Sequence, residues 1–182
     1  YGFNPGDFSP GKKNDDVFRV LFVGNIGIQK GVHYLLDAWE RLALPDAELI
    51  FIGKVEEGMQ PLMQKHARRI TLKGHVRHEE LKHEYAQASV FILPSLQEGS
   101  ALVTYEAMAC GLPLIVSENT GSVARDGKDG YVIPIRDVNA IAEKLQWMYD
   151  HRDEAAKMGA VAAEYIQEFT WDRYAESVIA VY

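Results

Sequence analysis

An uninterrupted apolar run from Val90 to Leu93 is followed by a polar loop and then by a segment of helical pattern. Four consecutive apolar residues, β-branched and aromatic ones among them, predict a strand buried on both faces of a parallel sheet. Ser100 is a good N-cap for the next helix, Gly111 is a typical C′ residue, and Pro113 prevents continuation. This order of elements predicts a ligand site at the carboxyl edge of the sheet, where helix N–H groups attract phosphate.

Two carboxylates frame this junction, Glu98 in the loop and Glu106 in the second turn of the predicted helix. The helix around Glu106 is mostly apolar, and a carboxylate there costs several kcal/mol unless it is hydrogen-bonded or reaches a polar cleft. Vicinal sugar hydroxyls would satisfy it, much as an acidic residue holds ribose in dinucleotide sites. On spacing alone, a solvent-facing glutamate on a half-exposed helix is the commoner explanation of such a pair.

The segments Pro-Ser-x-x-Glu-Gly, at 94–99, and Glu-Ala-Met-Ala-Cys-Gly-x-Pro, at 106–113, resemble the signature of family 4 retaining glycosyltransferases with the two-domain GT-B fold. The two glutamates of that signature, separated by seven residues, fall on Glu98 and Glu106. The resemblance implies that Glu98 faces the donor sugar as a catalytic residue and that Glu106 holds the ribose of the nucleotide. The other nucleotide-sugar-binding residues that it implies in this segment are Ser95, Gly99, Ser100, Ala101 and Leu102.

A glycine-spaced loop, Asn25 to Gly31, joins the first predicted strand to a helix over 32–42. Its glycines do not follow Gly-x-Gly-x-x-Gly and no Gly-Lys-Ser/Thr is present, which excludes the dehydrogenase and P-loop fingerprints. The resemblance implies that this loop, with Gly27, faces the diphosphate and that Lys30 neutralises it as a second catalytic residue. Asn25 occupies the position of an expected arginine, so a contact worth about 1–3 kcal/mol would be weaker.

Two further residues are assigned by resemblance alone. Val76, which follows a short predicted strand ending at Gly74, would lie beside the nucleotide base, and Gly121 would lie near the donor. Backbone recognition of a base leaves almost no trace in side chains, so the residues do not distinguish uracil, guanine and adenine. Three histidines lie nearby, but their intervals of three and five residues fit no standard helical ligand pair. We therefore expect surface histidines and no metal site (His75, His78 and His83).

Five or six short apolar strands alternate with helical segments, which predicts an α/β fold with a Rossmann-like, doubly wound parallel sheet. Together with the resemblance, this pattern predicts one half of a GT-B fold. Residues 1–16 are expected to be an interdomain linker and 17–169 the nucleotide-sugar-binding domain. Residues 170–182 are expected to form a C-terminal helix, capped by Thr170, that packs towards an N-terminal domain. A flexible arm on a complete domain is the alternative for the first segment.

Local patterns make three more predictions. A helix is expected over 57–69, and Asp137 is expected to cap another helix. The aromatic residues of the last helix are expected to belong to the core; they are Trp171, Tyr174 and Tyr182.

Composition limits the classes of partner. A formal net charge of −7 without a basic run argues against nucleic-acid binding and broad docking to anionic lipid. The single cysteine, Cys110, excludes an internal disulfide and is typical of a reducing compartment, so we expect a cytoplasmic protein. No apolar stretch approaches the roughly 18 residues of a membrane helix, so membrane contact would come only through another domain.

These observations predict the donor-binding half of a retaining glycosyltransferase, which moves a sugar from a nucleoside diphosphate to an acceptor hydroxyl. The expected partners are a nucleotide sugar and an N-terminal acceptor-binding domain of the same full-length chain. No cofactor and no metal are expected, and these residues alone should bind donor but turn it over poorly or not at all. The alternatives are a nucleotide-sugar epimerase or sugar phosphorylase of the same architecture, and a non-catalytic binding domain, which Asn25 favours.

Overall fold

A computed structural model describes residues 2–180 of the chain. Its centre is one sheet of six strands in the order β3-β2-β1-β4-β5-β6, in which all neighbours pair in parallel. This order reverses between β1 and β4, as in doubly wound sheets, so the predicted fold class is confirmed. The strands are β1 Phe18–Val23, β2 Ala47–Ile52, β3 Thr71–Gly74, β4 Val90–Leu93, β5 Leu114–Ser117 and β6 Gly130–Ile133.

Helices connect the strands and cover the sheet. They are α1 Val32–Arg41, α2 Gln60–His66, α3 His78–Gln87, α4 Leu102–Ala109, α5 Val138–Asp150, α6 Arg152–Ile166 and α7 Trp171–Ile179, with short 3₁₀ turns at Pro5–Asp7, Ile28–Lys30 and Glu57–Met59. The helix predicted over 57–69 is confirmed in part: a 3₁₀ turn covers Glu57–Met59 and an α-helix covers Gln60–His66, so the helical structure ends three residues earlier than predicted. Pro61 has no N–H to donate to the carbonyl four residues earlier, and so the α-helix begins at Gln60 after a 3₁₀ turn.

The core is centred on β1, β4 and β5, where residues such as Val20, Phe91 and Ile115 have no exposed surface. Helix α1 packs beside α5, and α4 packs beside α6. The second pair approaches very closely, because a Cβ on Gly159 of α6 would lie 2.0 Å from the carbonyl oxygen of Gly111, just after α4. This contact fixes α4, whose first turn faces the carboxyl edge of the sheet.

Both predicted caps of the C-terminal helices are confirmed. The Asp137 side chain accepts a hydrogen bond from Ala140 N at 2.9 Å, and Thr170 accepts one from Arg173 N at 3.2 Å. Between residues 2 and 180, no helix combines the length and the apolar character required to cross a bilayer.

The two ends of the described chain lie side by side. Phe3 N donates to Phe169 O at 2.9 Å, and Phe3 and Phe8 are buried. The prediction that the aromatic residues of α7 belong to the core is wrong, because Trp171 is 44% and Tyr174 42% exposed. Phe169, just before α7, instead packs edge-on against Tyr105 of α4, with ring centroids 6.2 Å apart. Tyr182 lies outside the described residues.

Candidate functional site

At the carboxyl edge of the sheet, a glycine follows β1, another follows β2, and a third is the last residue of β3. A Cβ on Gly53, after β2, would lie 2.0 Å from the carbonyl oxygen of Gly24, after β1. Gly53 N also donates to the carbonyl oxygen of Gly74, at the end of β3, at 2.7 Å. The backbones can approach this closely because both Gly24 and Gly53 have φ values near +140°. Val76, two residues after Gly74, is half-buried against the core.

The two loops that carry the predicted site residues touch each other. Leu96 N, in the β4–α4 loop, donates to Gln29 O, in the β1–α1 loop, at 2.8 Å. Gly31 has a φ of +68°, and a Cβ there would lie 2.0 Å from the carbonyl oxygen of Pro94. The β1 and β4 ends therefore form one continuous surface, at the point where the strand order reverses.

Lys30 and Glu98 meet across this junction. The Lys30 ammonium contacts a Glu98 carboxylate oxygen, and the side chains are 20% and 22% exposed. Burial lowers the pKa of Lys30, while the nearby Glu56 carboxylate raises it. Glu56 also lies against Gly27, where a Cβ would be 2.1 Å from its Oε2. The cation of this loop thus faces two carboxylates and is held close to the candidate phosphate-binding backbone.

The β4–α4 loop holds a buried polar atom for which the fold has no use. Ser95 has no exposed surface, and its Oγ makes no hydrogen bond with any of residues 2–180. Leaving such a group unpaired costs about 1–3 kcal/mol. The β4–α4 loop thus carries a polar group that the fold itself does not satisfy, at the edge where a polar ligand is expected to bind.

The start of α4 differs from the prediction. Ser100 does not cap the helix: the N-cap residue is Ala101, without a side-chain bond, and α4 begins at Leu102. Ala101 is buried, and Thr104 Oγ1 donates back to its carbonyl at 2.7 Å, which closes the first turn without a serine cap. Gly99 and Leu102 remain exposed. Gly111, with a φ of +77°, ends the helix one residue after its C-cap, as predicted.

The loop after β5 closes the other side of the site. A Cβ on Gly121, which has a φ of +64°, would lie 2.6 Å from the carbonyl oxygen of Gly99. Asn119 Nδ2 donates to Leu96 O at 2.9 Å, and Ser117 Oγ donates to Ser95 O. Gly121 is therefore brought together with the β4–α4 loop.

Glu106 lies in the second turn of α4 and is partly buried. Its Oε2 accepts a hydrogen bond from the hydroxyl of Tyr85, on α3, at 2.9 Å. Burial raises the pKa of Glu106, and this effect is opposed by the Tyr85 hydrogen bond and by the nearby His78. The carboxylate on the apolar helix is thus hydrogen-bonded rather than solvent-facing, which disfavours the simpler explanation of the glutamate pair.

Asn25 stands apart from the contacts described above. Its side chain is exposed at the end of β1. The three histidines are exposed too, and residues 2–180 contain no group of three or more His, Cys, Asp or Glu placed to hold a metal ion.

Several residues of the site carry no signal in the sequence. The Tyr85–Glu106 hydrogen bond joins residues 21 positions apart, and Tyr85 lies in a helix whose pattern indicated nothing beyond packing. Asn119 and Thr120 were likewise missed: Thr120 Oγ1 donates to Leu93 O at 2.8 Å and ties the β5 loop to the end of β4. Only the polar loop after a buried strand could have pointed to them.

Comparison with known proteins decides the family. The model of the family described as "Glycosyl transferases group 1" matches residues 17–151. The chain belongs to this family. The chain is 32% identical to spore coat protein SA of Bacillus subtilis, in an alignment 182 positions long that covers 90% of this chain and 48% of that protein. The chain therefore spans about half the length of this relative.

Solved structures agree with the assignment to group 1. Sucrose-phosphate synthase from Thermosynechococcus elongatus superposes with a TM-score of 0.86 at 28% identity, over 100% of this chain and 50% of that one. HepE from Anabaena, in complex with UDP and glucose, has the same fold, with a TM-score of 0.83 at 19% identity over 98% of this chain and 55% of that one. The chain has the fold of a C-terminal domain of a GT-B glycosyltransferase.

Proposed function

We propose that these residues form the donor-binding half of a retaining glycosyltransferase, which transfers a sugar from a nucleoside diphosphate to an acceptor hydroxyl. The observation that carries the proposal is the meeting of Lys30 and Glu98 at the carboxyl edge of the sheet, beside the unpaired Ser95 hydroxyl. In open α/β sheets, ligands bind at this edge and at the point where the strand order reverses. UDP and glucose in the HepE complex support a nucleotide sugar as the ligand.

The roles follow from charge and position. The diphosphate would form an ion pair with Lys30 in place of Glu98. It would also accept hydrogen bonds from backbone N–H groups at the start of α4, and both interactions stabilise the charge of the leaving group. The Glu98 carboxylate, released from the ammonium, would orient the donor sugar. Glu106, one turn into α4, would accept hydrogen bonds from the ribose hydroxyls.

Further residues complete the proposed donor site. Hydroxyl groups would come from Ser95 and Ser100, and Val76 would lie beside the base. Backbone groups close to the donor would come from five residues: Gly27, Gly99, Ala101, Leu102 and Gly121. Asn25 could donate a hydrogen bond to the diphosphate but brings no charge.

The remaining parts of the proposal concern the rest of the protein. We propose that residues 1–16 are an interdomain linker and that 170–182 pack towards an N-terminal acceptor-binding domain. The exposed apolar side chains of α7, including Val178 and Ile179, support this layout. The single cysteine supports a cytoplasmic location. No metal is required in the proposed reaction, so a chelator is expected to leave donor affinity unchanged.

Calorimetric titration with UDP, GDP and ADP, and with their sugar conjugates, tests the proposal. One nucleotide should bind better than the others, and Lys30→Ala and Glu106→Ala should each weaken it about tenfold or more, since each removes a charged hydrogen bond. Lys157→Ala, on the exposed face of α6, is the matched control and should leave the affinity unchanged. A folded chain that bound none of the nucleotides would contradict the proposal.

The same titration separates the alternatives. An epimerase would convert its nucleotide sugar with no acceptor present, which proton NMR of the sugar would show. A phosphorylase would require inorganic phosphate. A non-catalytic domain, for which the exposed Asn25 is the supporting observation, would bind donor weakly, and Asn25→Arg would then strengthen binding by restoring a charge beside Lys30.

A further inference from the structure

The carboxylate of Glu106 accepts a hydrogen bond from Tyr85, a residue that has no role in the function proposed above. Tyr85 has no exposed surface, and its hydroxyl donates to Glu106 Oε2 at 2.9 Å. Glu106 Oε1 accepts no hydrogen bond from any of residues 2–180. One carboxylate oxygen is therefore hydrogen-bonded within the fold, and the other can accept hydrogen bonds from a ligand.

The Tyr85 ring is fixed on two sides, so its hydroxyl has little freedom. Phe8, from the N-terminal segment, packs edge-on with ring centroids 5.7 Å apart, and Phe91 of β4 lies at 6.2 Å. A donor held by rigid packing imposes its geometry on a flexible glutamate side chain, as supporting hydrogen bonds do around binding sites.

We propose that Tyr85 is a positioning residue that holds Glu106 ionised and oriented, so that Oε1 faces the ribose, and thereby determines the preference of the site for ribonucleotides over deoxyribonucleotides. This inference rests on the proposed function, because it assumes that Glu106 meets the ribose. A carboxylate restrained through one oxygen can offer the lone pairs of the other to vicinal hydroxyls. An unrestrained one would rotate away or take up a proton.

The surrounding groups favour this arrangement. Burial, with the neighbouring Glu106 charge, raises the pKa of Tyr85 well above 10, so its hydroxyl remains a donor. Burial and the same carboxylate raise the pKa of Cys110 to about 12, so its thiol stays neutral; Lys82, on α3, opposes that shift. His78, at the start of α3, is the other titratable group that acts on Glu106, and it favours the charged form.

The test compares Tyr85→Phe with the parent chain, using UDP, GDP and ADP and the 2′-deoxy form of each. The parent should prefer the ribonucleotide, and Tyr85→Phe should reduce that preference about threefold or more while keeping most of the affinity for the diphosphate. The control is Tyr149→Phe. This variant also loses a hydrogen bond from a tyrosine hydroxyl, the one from Tyr149 on α5 to Pro45 O at 3.0 Å. Because that bond does not involve Glu106, the variant should keep the parent's preference.

A pH series gives a readout that a loss of packing would not move. The hydrogen bond from Tyr85 stabilises the ionised carboxylate, so its loss raises the pKa of Glu106 further. Affinity for the ribonucleotide should therefore begin to fall at a higher pH in Tyr85→Phe than in the parent as the solution is acidified. His78 is present in both proteins, so its effect on Glu106 is common to the two curves.

A double-mutant cycle shows whether Tyr85 acts through Glu106. In a Glu106→Gln background, Tyr85→Phe should change the ribose preference no further. If the parent binds a ribonucleotide and Tyr85→Phe retains both its preference and its pH profile, the inference is wrong and the proposed function stands. If the parent binds no nucleotide, the proposed function itself fails.

A structure of the parent with a bound nucleoside diphosphate provides a second test that does not depend on the variant folding. The Tyr85–Glu106 Oε2 bond should persist with the ribose on Oε1. A ribose that displaced the tyrosine hydroxyl would overturn the inference.

Discussion

The two edges of the sheet use their polar side chains in opposite ways. At the amino edge, Arg19 binds Asp15 at 2.7 Å and Glu48 at 3.0 Å, and Lys13 donates to Ser89 Oγ at 2.6 Å. At the carboxyl edge, Ser95 Oγ and Ser100 Oγ have no hydrogen-bond partner among residues 2–180, although Lys30 is paired with Glu98. We therefore call the amino edge the closed edge, because these side chains bond to one another, and the carboxyl edge the open edge, because two serine hydroxyls there are unpaired.

This difference is more informative than the presence of a cavity. A cavity of about 490 Å³ lies at the amino edge, lined by residues that include Lys13, Asp15 and Arg152. The charged side chains of Lys13, Asp15 and Arg152 already have protein partners: Arg152 Nη1, for example, donates to Asp16 O at 2.6 Å. A donor site that forms one wall of a cleft between two domains need not be a closed cavity in one of them. Of the five buried side-chain polar atoms without a hydrogen bond among residues 2–180, three lie in the β4–α4 loop, and the other two belong to His33 on α1 and His66 on α2. Unpaired polar atoms therefore point to the β4–α4 loop more clearly than cavity volume does.

The largest effect is expected from breaking the loop junction at the carboxyl edge. Gly31→Ala should lower the free energy of unfolding by about 3 kcal/mol or more, because a φ of +68° is strained for alanine and its Cβ would collide with Pro94 O. Gly127→Ala is the matched control, since its φ is +70° but no atom lies within 4 Å. It should cost only about 1–2 kcal/mol in urea unfolding. Equal losses would show that the contact between the loops contributes nothing.

Removing the cation from the open edge should affect binding and not folding. Lys30→Met is expected to weaken nucleoside diphosphate binding by about 2 kcal/mol, because one charged hydrogen-bond donor is lost, and to leave the melting temperature within about 2 °C of the parent. Arg19→Met, at the closed edge, should do the reverse. Calorimetry and thermal unfolding on both variants measure the two effects, and a drop in binding for Arg19→Met would contradict the division between the edges.

Two buried serines near the carboxyl edge differ in whether their hydroxyl is hydrogen-bonded within the fold: that of Ser117 is, and that of Ser95 is not. Ser117→Ala should destabilise the fold by about 1–2 kcal/mol, since Ser117 Oγ bonds to Ser95 O and lies 2.8 Å from Thr120 Oγ1. Ser95→Ala removes a hydroxyl without a partner and should leave stability unchanged or slightly raised, while weakening nucleotide binding. Urea unfolding of the two variants side by side decides the point; a large loss for Ser95→Ala would mean that its hydroxyl is already used.

The smallest effect concerns the closed edge in acid. The hydrogen bond from Arg19 lowers the pKa of Asp15 from 3.8 to about 2. Because the folded pKa lies below the unfolded value, this pair stabilises the fold above about pH 4, and the stabilisation is lost as the pH falls through about 2. The stability difference between the parent and Asp15→Asn should therefore shrink between pH 5 and pH 2, approximately as carboxylates protonate. A difference that stayed constant over this range would exclude the pair as its source.

The elements that local sequence determines were predicted well. The apolar run from Val90 to Leu93 predicted β4 with the bounds that it has, because a strand buried on both faces leaves no polar residue within it. Asp137 and Thr170 were predictable as caps, since each bonds a backbone N–H only three residues away. Gly111 was predictable for the same local reason.

Predictions failed where a distant part of the chain decides the outcome. Ser100 has the chemistry of an N-cap, but the loop buries Ala101 at that position instead. The last helix has an aromatic face that the described chain leaves exposed, which no local pattern distinguishes from a core face. The contact between Lys30 and Glu98 was not predicted, because it depends on how the β1–α1 and β4–α4 loops meet. The Tyr85–Glu106 bond likewise depends on how the sheet places α3 and α4.

The most direct test of the account is a backbone NMR titration of the ¹⁵N-labelled chain with the nucleoside diphosphate that binds best. The account predicts shifts concentrated in the β1–α1 loop around Lys30 and in the β4–α4 loop from Ser95 to Leu102, with the amino-edge residues Lys13 and Arg19 unmoved. Shifts centred on the amino-edge cavity, with the carboxyl-edge loops unmoved, would contradict it.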